Sequence, residues 1–413
     1  MNIKPWMHDN EIAMIEKYLS ANKNMLEWGS GGSTVYFAPK VKQLFSIEHV
    51  KEWFDKISKI IPANVNLNYV AANNEVSITE SSFNDYADYI NYAKTFDTVF
   101  DVVLIDGRAR VECAKFILDF IHRDSVVIIH DFYKKNRNRY RKVLEYYDII
   151  EKIDNTVQGV VVLSPKAKLK RPLTDLKEII GRARKFNQPL SVLRFGDGEY
   201  YAATSPGSTD FMNGVPFIKH LGFIPSEIHK REISENIIRA CKDADVVCVN
   251  ENNTPKWLAA KNYFLDIKQR PYYYTADFHS YWLHSNYYDE LFQQFDKVLL
   301  ITGHNLADKL KNKYPHLQQV QQLTIPKQPR YFKVDKIHYP EEFKKTMDKI
   351  ETMDLTGTLC LAGAGFIGKP YIIKCAKRGG IALDIGSVFD QWAGFATRGK
   401  GKGFEKESLK YAL

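Results

Sequence analysis

The run Met25-Leu26-Glu27-Trp28-Gly29-Ser30-Gly31-Gly32-Ser33-Thr34 decides how the first half of the chain folds. Residues 25–28 make a short strand, 29–34 a glycine turn, and 35–38 the start of a helix. In that context a Gly-rich segment means ligand binding. Glycines let a ligand approach the backbone, and the helix start offers free N–H groups. Upstream, residues 11–20 carry apolar side chains at helical spacing. Downstream, a strand at 43–47 ends in Glu48, about 20 residues past the glycines, where an acid typically hydrogen-bonds ribose hydroxyls. Further strands are predicted at 66–70, 101–105 and 125–129, with a final pair near 147–152 and 159–163. The strands at 101–105 and 125–129 end in Asp106-Gly107 and His130-Asp131. Polar groups at the carboxyl ends of parallel strands are where an open α/β sheet binds ligands. Asp106 and Asp131 are therefore candidate metal ligands or bases beside an acceptor. The spacing alone leaves NAD and S-adenosylmethionine both open.

The second half is organised around Leu193-Arg194-Phe195-Gly196-Asp197-Gly198-Glu199-Tyr200. An apolar run at 190–193 leads into two carboxylates separated by one glycine. Side chains at i and i+2 of an extended segment point the same way. Asp197 and Glu199 are thus expected to converge on one cation, Mg²⁺ or Mn²⁺, of the kind that arrives with substrate phosphates. Arg194 adds a fixed positive charge suited to phosphate. Buried strands are predicted at 245–249 and 297–301, ending in Asn250-Glu251-Asn252 and Thr302-Gly303-His304-Asn305. The aromatic-rich residues 271–282, with Asp277 and His279 among them, read as a core helix or a domain-contact face, in preference to a sugar platform. A strand at 358–362 runs into Gly363-Ala364-Gly365-Phe366-Ile367-Gly368-Lys369-Pro370, a G-x-G-x-x-G turn before a helix at 371–377. The next strand carries Asp384, and Asp390 lies beyond it. Gly363, Gly365, Lys369 and Asp384 are candidate nucleotide-binding residues, and Asp390 a candidate catalytic acid.

With 413 residues the chain has room for two domains. The net charge of +9 suits anionic partners. The lysines are scattered and no RNA-binding signature is visible, which argues against nucleic acid. Five cysteines without a C-x-x-C pair read as buried thiols of a reducing compartment. No apolar signal region opens the chain and no apolar run reaches the ~18 residues of a spanning helix. The expectation is a cytoplasmic protein with, at most, peripheral membrane contact. Ser164-Pro165-Lys166-Ala167-Lys168-Leu169-Lys170-Arg171-Pro172 is basic and proline-bounded. It divides the chain into a domain at 1–165, a linker at 166–172 and a domain at 173–413. The last ends in a basic tail at 399–403 suited to phosphates or anionic lipid.

Glu27 to Thr34, Ser46-Ile47-Glu48-His49, Leu104-Ile105-Asp106-Gly107 and Ile129-His130-Asp131-Phe132 together resemble class I S-adenosylmethionine-dependent methyltransferases, nearest to those acting on sugars. The acid at Glu27, directly before the loop, favours the methyl donor over NAD. The resemblance implies that Glu27, Gly29 and Gly31, with Ser30 and Ser33 of the same loop, hold the methionine end and Glu48 the ribose. Metal-dependent members usually carry a further acid after the fourth strand. Arg108 and Arg110 stand there instead, and suit an anionic acceptor.

The pairing of Arg194 to Glu199 with the C-terminal glycine block resembles the GT-D glycosyltransferases, defined by a D-x-E metal motif on a Rossmann-like domain. That resemblance implies a nucleotide-sugar donor, a UDP-sugar, and a divalent metal (Mn or Mg) on Asp197 and Glu199. Better-known members carry a longer Gly- and Asn-containing loop where this chain has only Thr302-Gly303-His304-Asn305, so the acceptor pocket is expected to differ. The expectation is an α/β protein of two Rossmann-like domains, each with a mainly parallel sheet flanked by helices. It would transfer a sugar and O-methylate a sugar hydroxyl on a glycan or glycolipid acceptor. Two rivals are a glycosyltransferase whose first domain only binds acceptor, and a non-enzymatic nucleotide-binding assembly module.

Overall fold

A computed structural model of the protein describes residues 4–74, 84–96, 98–133, 138–154, 159–166, 169–205, 211–212, 215–216, 218–252, 254–269, 272–395, 397 and 410–413. Val102 to Ile105 and Val127 to Ile129 have no exposed side chain. Such continuous apolar strands are stable where a sheet is covered on both faces. The chain divides into two compact units, Met1–Leu169 with Gln269–Tyr272, and Lys170–Lys268 with Tyr273–Leu413.

The first unit holds a seven-stranded sheet of order β3-β2-β1-β4-β5-β7-β6. Its strands are β1 Asn24–Trp28, β2 Gln43–Glu48, β3 Val65–Tyr69, β4 Phe100–Ile105, β5 Ile121–His130, β6 Tyr147–Ile153 and β7 Val160–Pro165. β1 to β5 run parallel, while β7 lies antiparallel to both β5 and β6. An all-parallel dinucleotide sheet runs 3-2-1-4-5-6, so the antiparallel wedge departs from that pattern. Among the described residues five α-helices accompany the sheet: α1 Asp9–Glu16, α2 Gly32–Phe37, α3 Lys51–Ile57, α4 Ala87–Asn91 and α5 Arg110–Ile117. Strand order reverses between β1 and β4, which opens a crevice at their carboxyl ends. Gly29 and Gly107 close its floor. Gly29 has φ +95°, and a Cβ there would come 2.6 Å from the Gly107 nitrogen.

The second unit is built on an eight-stranded sheet of order β15-β14-β16-β17-β9-β12-β13-β8. These strands are β8 Leu169–Lys170, β9 Leu190–Phe195, β12 Val246–Val249, β13 Tyr272–Thr275, β14 Lys297–Thr302, β15 Gln319–Thr324, β16 Thr358–Ala362 and β17 Ile381–Asp384; β10 Phe211–Met212 and β11 Val215–Pro216 form a small separate ribbon. β9 sits centrally, parallel to β17 on one side and to β12 on the other. Its Leu193 and Phe195 pack in a core with Val247, Val249, Leu299 and Ile301 of neighbouring strands. Helix α6 is Leu173–Lys185 and α7 is Asp197–Thr204. The architecture is α/β, two sheets flanked by helices, consistent with two Rossmann-like domains.

Two expectations are corrected. Asp197 and Glu199 do not lie on an extended segment: α7 begins at Asp197, and Glu199 falls in its first turn. The aromatic stretch is strand β13 followed by a helix, Phe278–His284; Tyr272, Tyr273 and Tyr274 are all buried, as an interior strand requires. Within the stretch at 166–172, Leu169–Lys170 form strand β8, and Arg171 is buried beside Asp175, its Nε 3.1 Å from Asp175 Oδ2. Strand β15, half exposed and rich in glutamine, carries no apolar run and was not expected. The basic tail at 399–403 lies outside the described residues. All five cysteines are buried and free. Among the described residues no helix is long and apolar enough to cross a membrane.

Gly29→Ala should lower the stability of the first unit by about 2 kcal/mol or more, since strain at positive φ adds to a backbone clash. Gly31→Ala, whose Cβ would meet nothing within 4 Å, should leave stability unchanged within about 0.5 kcal/mol. Chemical denaturation of the two variants checks both.

Candidate functional site

In the second unit the carboxyl ends of β9, β14, β16 and β17 border one cavity of about 450 Å³. Each strand delivers chemistry where it ends. Glu199 is held by α7 itself, because its Oε2 accepts the Gly196 N–H at 2.9 Å and so caps the helix. Its Oε1 lies 2.9 Å from Lys369 Nζ. Lys369 opens the helix Lys369–Lys377, is only 3% exposed, and also hydrogen-bonds Asp384. Asp384 ends β17, and its Oδ1 accepts the Gly386 N–H at 3.1 Å. Arg194 leaves β9 with Nε donating to the Ala276 carbonyl at 2.6 Å and Nη1 3.9 Å from Asp384 Oδ1. Gly386 makes that possible, because a Cβ there would stand 2.1 Å from Arg194 Nη1.

Burial works to raise the Glu199 pKa, but the Lys369 charge and hydrogen bond, the Gly196 N–H and Arg194 outweigh it and hold the carboxyl below its ordinary value. Asp197 has a different partner: its Oδ2 is 2.7 Å from Lys256 Nζ, and its Oδ1 accepts the Gly198 N–H at 2.9 Å. The two acids of the motif are thus each neutralised by a lysine of their own. Lys256 is about one-third exposed at 32% and can swing aside, so Asp197 fits a metal ligand. Glu199, used as a helix cap and tied to a buried lysine, does not fit one as placed. As placed, the two acids are not brought onto one point.

The other residues read from the sequence divide in the same way. Gly365 has φ +60° and nothing within 4 Å of an added Cβ, so it can meet a ligand. Gly363 packs on protein: its Cβ would lie 2.5 Å from the Gly386 carbonyl oxygen. Asp390 lines the cavity with both oxygens engaged. Oδ1 lies 2.8 Å from His304 Nε2, and Oδ2 accepts the Thr397 hydroxyl. Lys256 and His304 were not picked out from the sequence. The one available signal was His304's place two residues past the end of β14.

In the first unit Glu27 is fully buried under the glycine loop. It accepts hydroxyls from Ser33, Thr34 and Ser46, the last at 2.8 Å. Ser30 Oγ lies 2.7 Å from Ser46 Oγ. Glu27, Ser30 and Ser33 therefore shape the loop from beneath, whereas Gly31 is open on its outer side. Glu48, at the end of β2, accepts the His49 and Val50 N–H groups at 2.9 and 2.7 Å. Asp106, His130 and Asp131 come together at the ends of β4 and β5, with ligand atoms all within 4.8 Å of one another, a candidate metal cluster. His130 Nδ1 is 3.0 Å from Asp106 Oδ1. Burial works to lower the His130 pKa, but Asp106 and Asp131 prevail and raise it. Arg110 reaches both carboxylates, at 3.2 Å from Asp106 Oδ1 and 3.5 Å from Asp131 Oδ2. The carbonyls of Gly107, Asp106 and His130 anchor it, so the cluster already shares its oxygens with a fixed cation. The sequence flagged both acids and the arginine, but not the histidine between them.

Residues 173–392 match the GT-D-like family, described as a GT-D fold-like domain. Similar solved structures include a precorrin 8w decarboxylase of Methanobacterium thermoautotrophicum, 14% identical, with 40% of this chain and 94% of that chain covered and a TM-score of 0.29. The N-methyltransferase NodS of Bradyrhizobium japonicum WM9 is 9% identical, with 38% and 92% covered and a TM-score of 0.27. A ribosomal protein L11 methylase of Lactobacillus delbrueckii subsp. bulgaricus is 14% identical, with 38% and 76% covered and a TM-score of 0.29. No curated protein matches the chain.

Burial pushes the Glu27 pKa up from 4.5 to about 7, against the three hydroxyls that lower it. A folded-state pKa above the unfolded one adds stability that is complete below the unfolded value and lost as pH rises through the folded value. The first unit should therefore weaken between pH 5 and 8, by something on the order of 3 kcal/mol. Glu27→Gln should flatten that dependence in denaturation measured across the range.

Proposed function

We propose, from the premise that the chain belongs to the GT-D-like family, that its second unit transfers a sugar from a nucleotide-sugar donor, a UDP-sugar, and that its first unit O-methylates a sugar hydroxyl with S-adenosylmethionine. The acceptor would be a polysaccharide or glycolipid glycan. One observation carries the first part: the cavity at the carboxyl edge of the second sheet gathers Arg194, Lys369, Asp197 and Asp384 around a space of nucleotide-sugar size. Glycosyl transfer needs the diphosphate leaving group neutralised as the sugar carbon becomes cationic. Arg194 and Lys256 can turn toward that charge, while Lys369 holds Glu199 and Asp384 in place. A divalent ion on Asp197 would add positive charge at the diphosphate.

Methyl transfer needs alignment of the methyl group and removal of a hydroxyl proton. The open face at Gly31 offers the donor its approach, with Glu48 toward the ribose, and Asp106, His130 and Asp131 can take the proton. The rival reading, a first unit that only binds acceptor, is favoured by Arg110, which occupies both carboxylates. S-adenosylmethionine binding to the full chain, followed by calorimetry, separates the two. Gly31→Ala should weaken that binding without moving the melting temperature. A chain that does not bind the methyl donor at all would leave the acceptor-binding reading.

For the second unit, calorimetry with UDP-sugars, with and without Mn²⁺, is the test. Asp197→Asn should cost about 10–100-fold in metal-supported donor affinity, the worth of a hydrogen bond to a charged group. Glu199→Gln should instead lower stability, since it weakens a helix cap and a buried ion pair. Absence of any UDP-sugar binding, in either condition, would remove the glycosyl-transfer reading.

A further inference from the structure

The charge network around Lys369 leaves out one pair of cavity groups, His304 and Asp390. His304 follows the carboxyl end of β14, where Thr302 and Gly303 also line the cavity. Its Nε2 lies 2.8 Å from Asp390 Oδ1. A carboxylate can only accept, so the proton of the neutral imidazole sits on Nε2 and the lone pair on Nδ1. Among the described residues Nδ1 makes no hydrogen bond. The Thr397 hydroxyl fixes the far oxygen of Asp390. The ring itself is clamped, stacked on Phe395 at 5.3 Å and edge-on to Phe332 at 5.4 Å.

Of the other candidate bases most are partnered; the Asp277 carboxylate, which also lines the cavity, makes no hydrogen bond among the described residues and so has nothing to orient it. Asp197 is paired with Lys256 and Glu199 with Lys369. His220 uses both nitrogens, on Gln328 and Arg330. His279 and His284 use Nδ1 on backbone carbonyls, and His338 meets the Tyr371 hydroxyl. His304 alone among them has a carboxylate behind it and an open nitrogen in front, the arrangement of an oriented general base.

We propose that His304 is the general base of glycosyl transfer, that Asp390 is its positioning residue, and that the reaction inverts the anomeric carbon; the inference rests on the glycosyl-transfer reading above. The acceptor oxygen forms its bond to the anomeric carbon as the bond from that carbon to the diphosphate oxygen breaks. The electron pair leaves with the nucleoside diphosphate, and the hydroxyl proton passes to His304 Nδ1. Direct attack assisted by a base, with no covalent sugar intermediate, gives inversion. Asp390 faces the imidazole, and Lys327 lies against the two rings that clamp it, its ammonium 5.0 Å from the Phe332 ring centre and 5.4 Å from that of Phe395.

The test uses the full chain, with UDP-glucose and UDP-galactose as donors and water as acceptor. His304→Gln should keep donor affinity by calorimetry and lose about 100-fold or more in turnover, together with the acid limb of the pH profile. Asp390→Asn should lose less and shift that limb. NMR of the first-formed sugar should show the β anomer from these α-linked donors. Turnover of His304→Gln within about threefold of the parent chain, or an α product, overturns the proposal. A measurement independent of turnover is ¹⁵N NMR of the imidazoles. The Nε2–H tautomer is expected for His304, and an Nδ1–H tautomer overturns the proposal as well. If the parent chain binds no UDP-sugar, the glycosyl-transfer reading itself has failed and the base falls with it. If it binds and turns over while His304→Gln is unimpaired, only the base has failed.

Discussion

The buried ammonium of Lys369 is the contact on which the second unit's site depends. It lies between Glu199, at the start of α7, and Asp384, at the end of β17. A charge taken out of water at that depth costs several kcal/mol unless its partners are close and well aligned. Here they are, and Arg194 adds a second positive charge beside Asp384. One side chain therefore ties the turn after β9, the turn after β17 and the helix after β16 into a single edge. The same contact decides which acid of the D-x-E pair is available to chemistry. Glu199 is committed to holding the edge together, and Asp197, whose lysine is partly in water, is not.

The first unit solves a related problem with the opposite charge. Its glycine loop sits over Glu27, and three hydroxyls reach down to that carboxylate. Burial there raises the pKa where the lysine at Glu199 lowers it. The first loop therefore rests on a group that changes charge near neutrality, and the second on one held below its ordinary value.

Much of this was legible in the sequence for a simple physical reason. β1, β2, β4, β9, β16, β17 and the second half of β5 are largely buried, so they appear as apolar runs, and the acid or glycine where each run stops marks the edge of the sheet. Glu48, Asp106, Asp131 and Asp384 are read that way, and Asp390 lies beyond the last of these strands. The local pattern around Asp197 was ambiguous. A strand continuing through D-x-E and a helix starting at its first acid read alike, and only the Gly196-to-Glu199 cap separates them. Three consecutive tyrosines carry no period of two, so β13 was mistaken, and β15 is polar because it is an edge. Lys256 on Asp197, Asp390 behind His304 and Arg110 between two carboxylates are pairings made by the fold. Nothing in the residues adjacent to any of them announces its partner.

The placement of β9 bears on how the protein is made. Its neighbour β17 lies near the far end of the chain, and both the lysine that neutralises Glu199 and the aspartate that shares that lysine come from that late segment. The strands of the first sheet are all synthesised before residue 166, so that sheet can assemble while the ribosome is still at work. The second sheet must wait with its central strand open along one side, a long-range pairing of the kind that folds slowly and exposes sticky edges meanwhile. A chain stopped short of β16 would present that edge permanently, with Glu199 lacking its counter-charge. Such fragments would aggregate or be degraded, and the only molecules to accumulate would be those that carry the complete site.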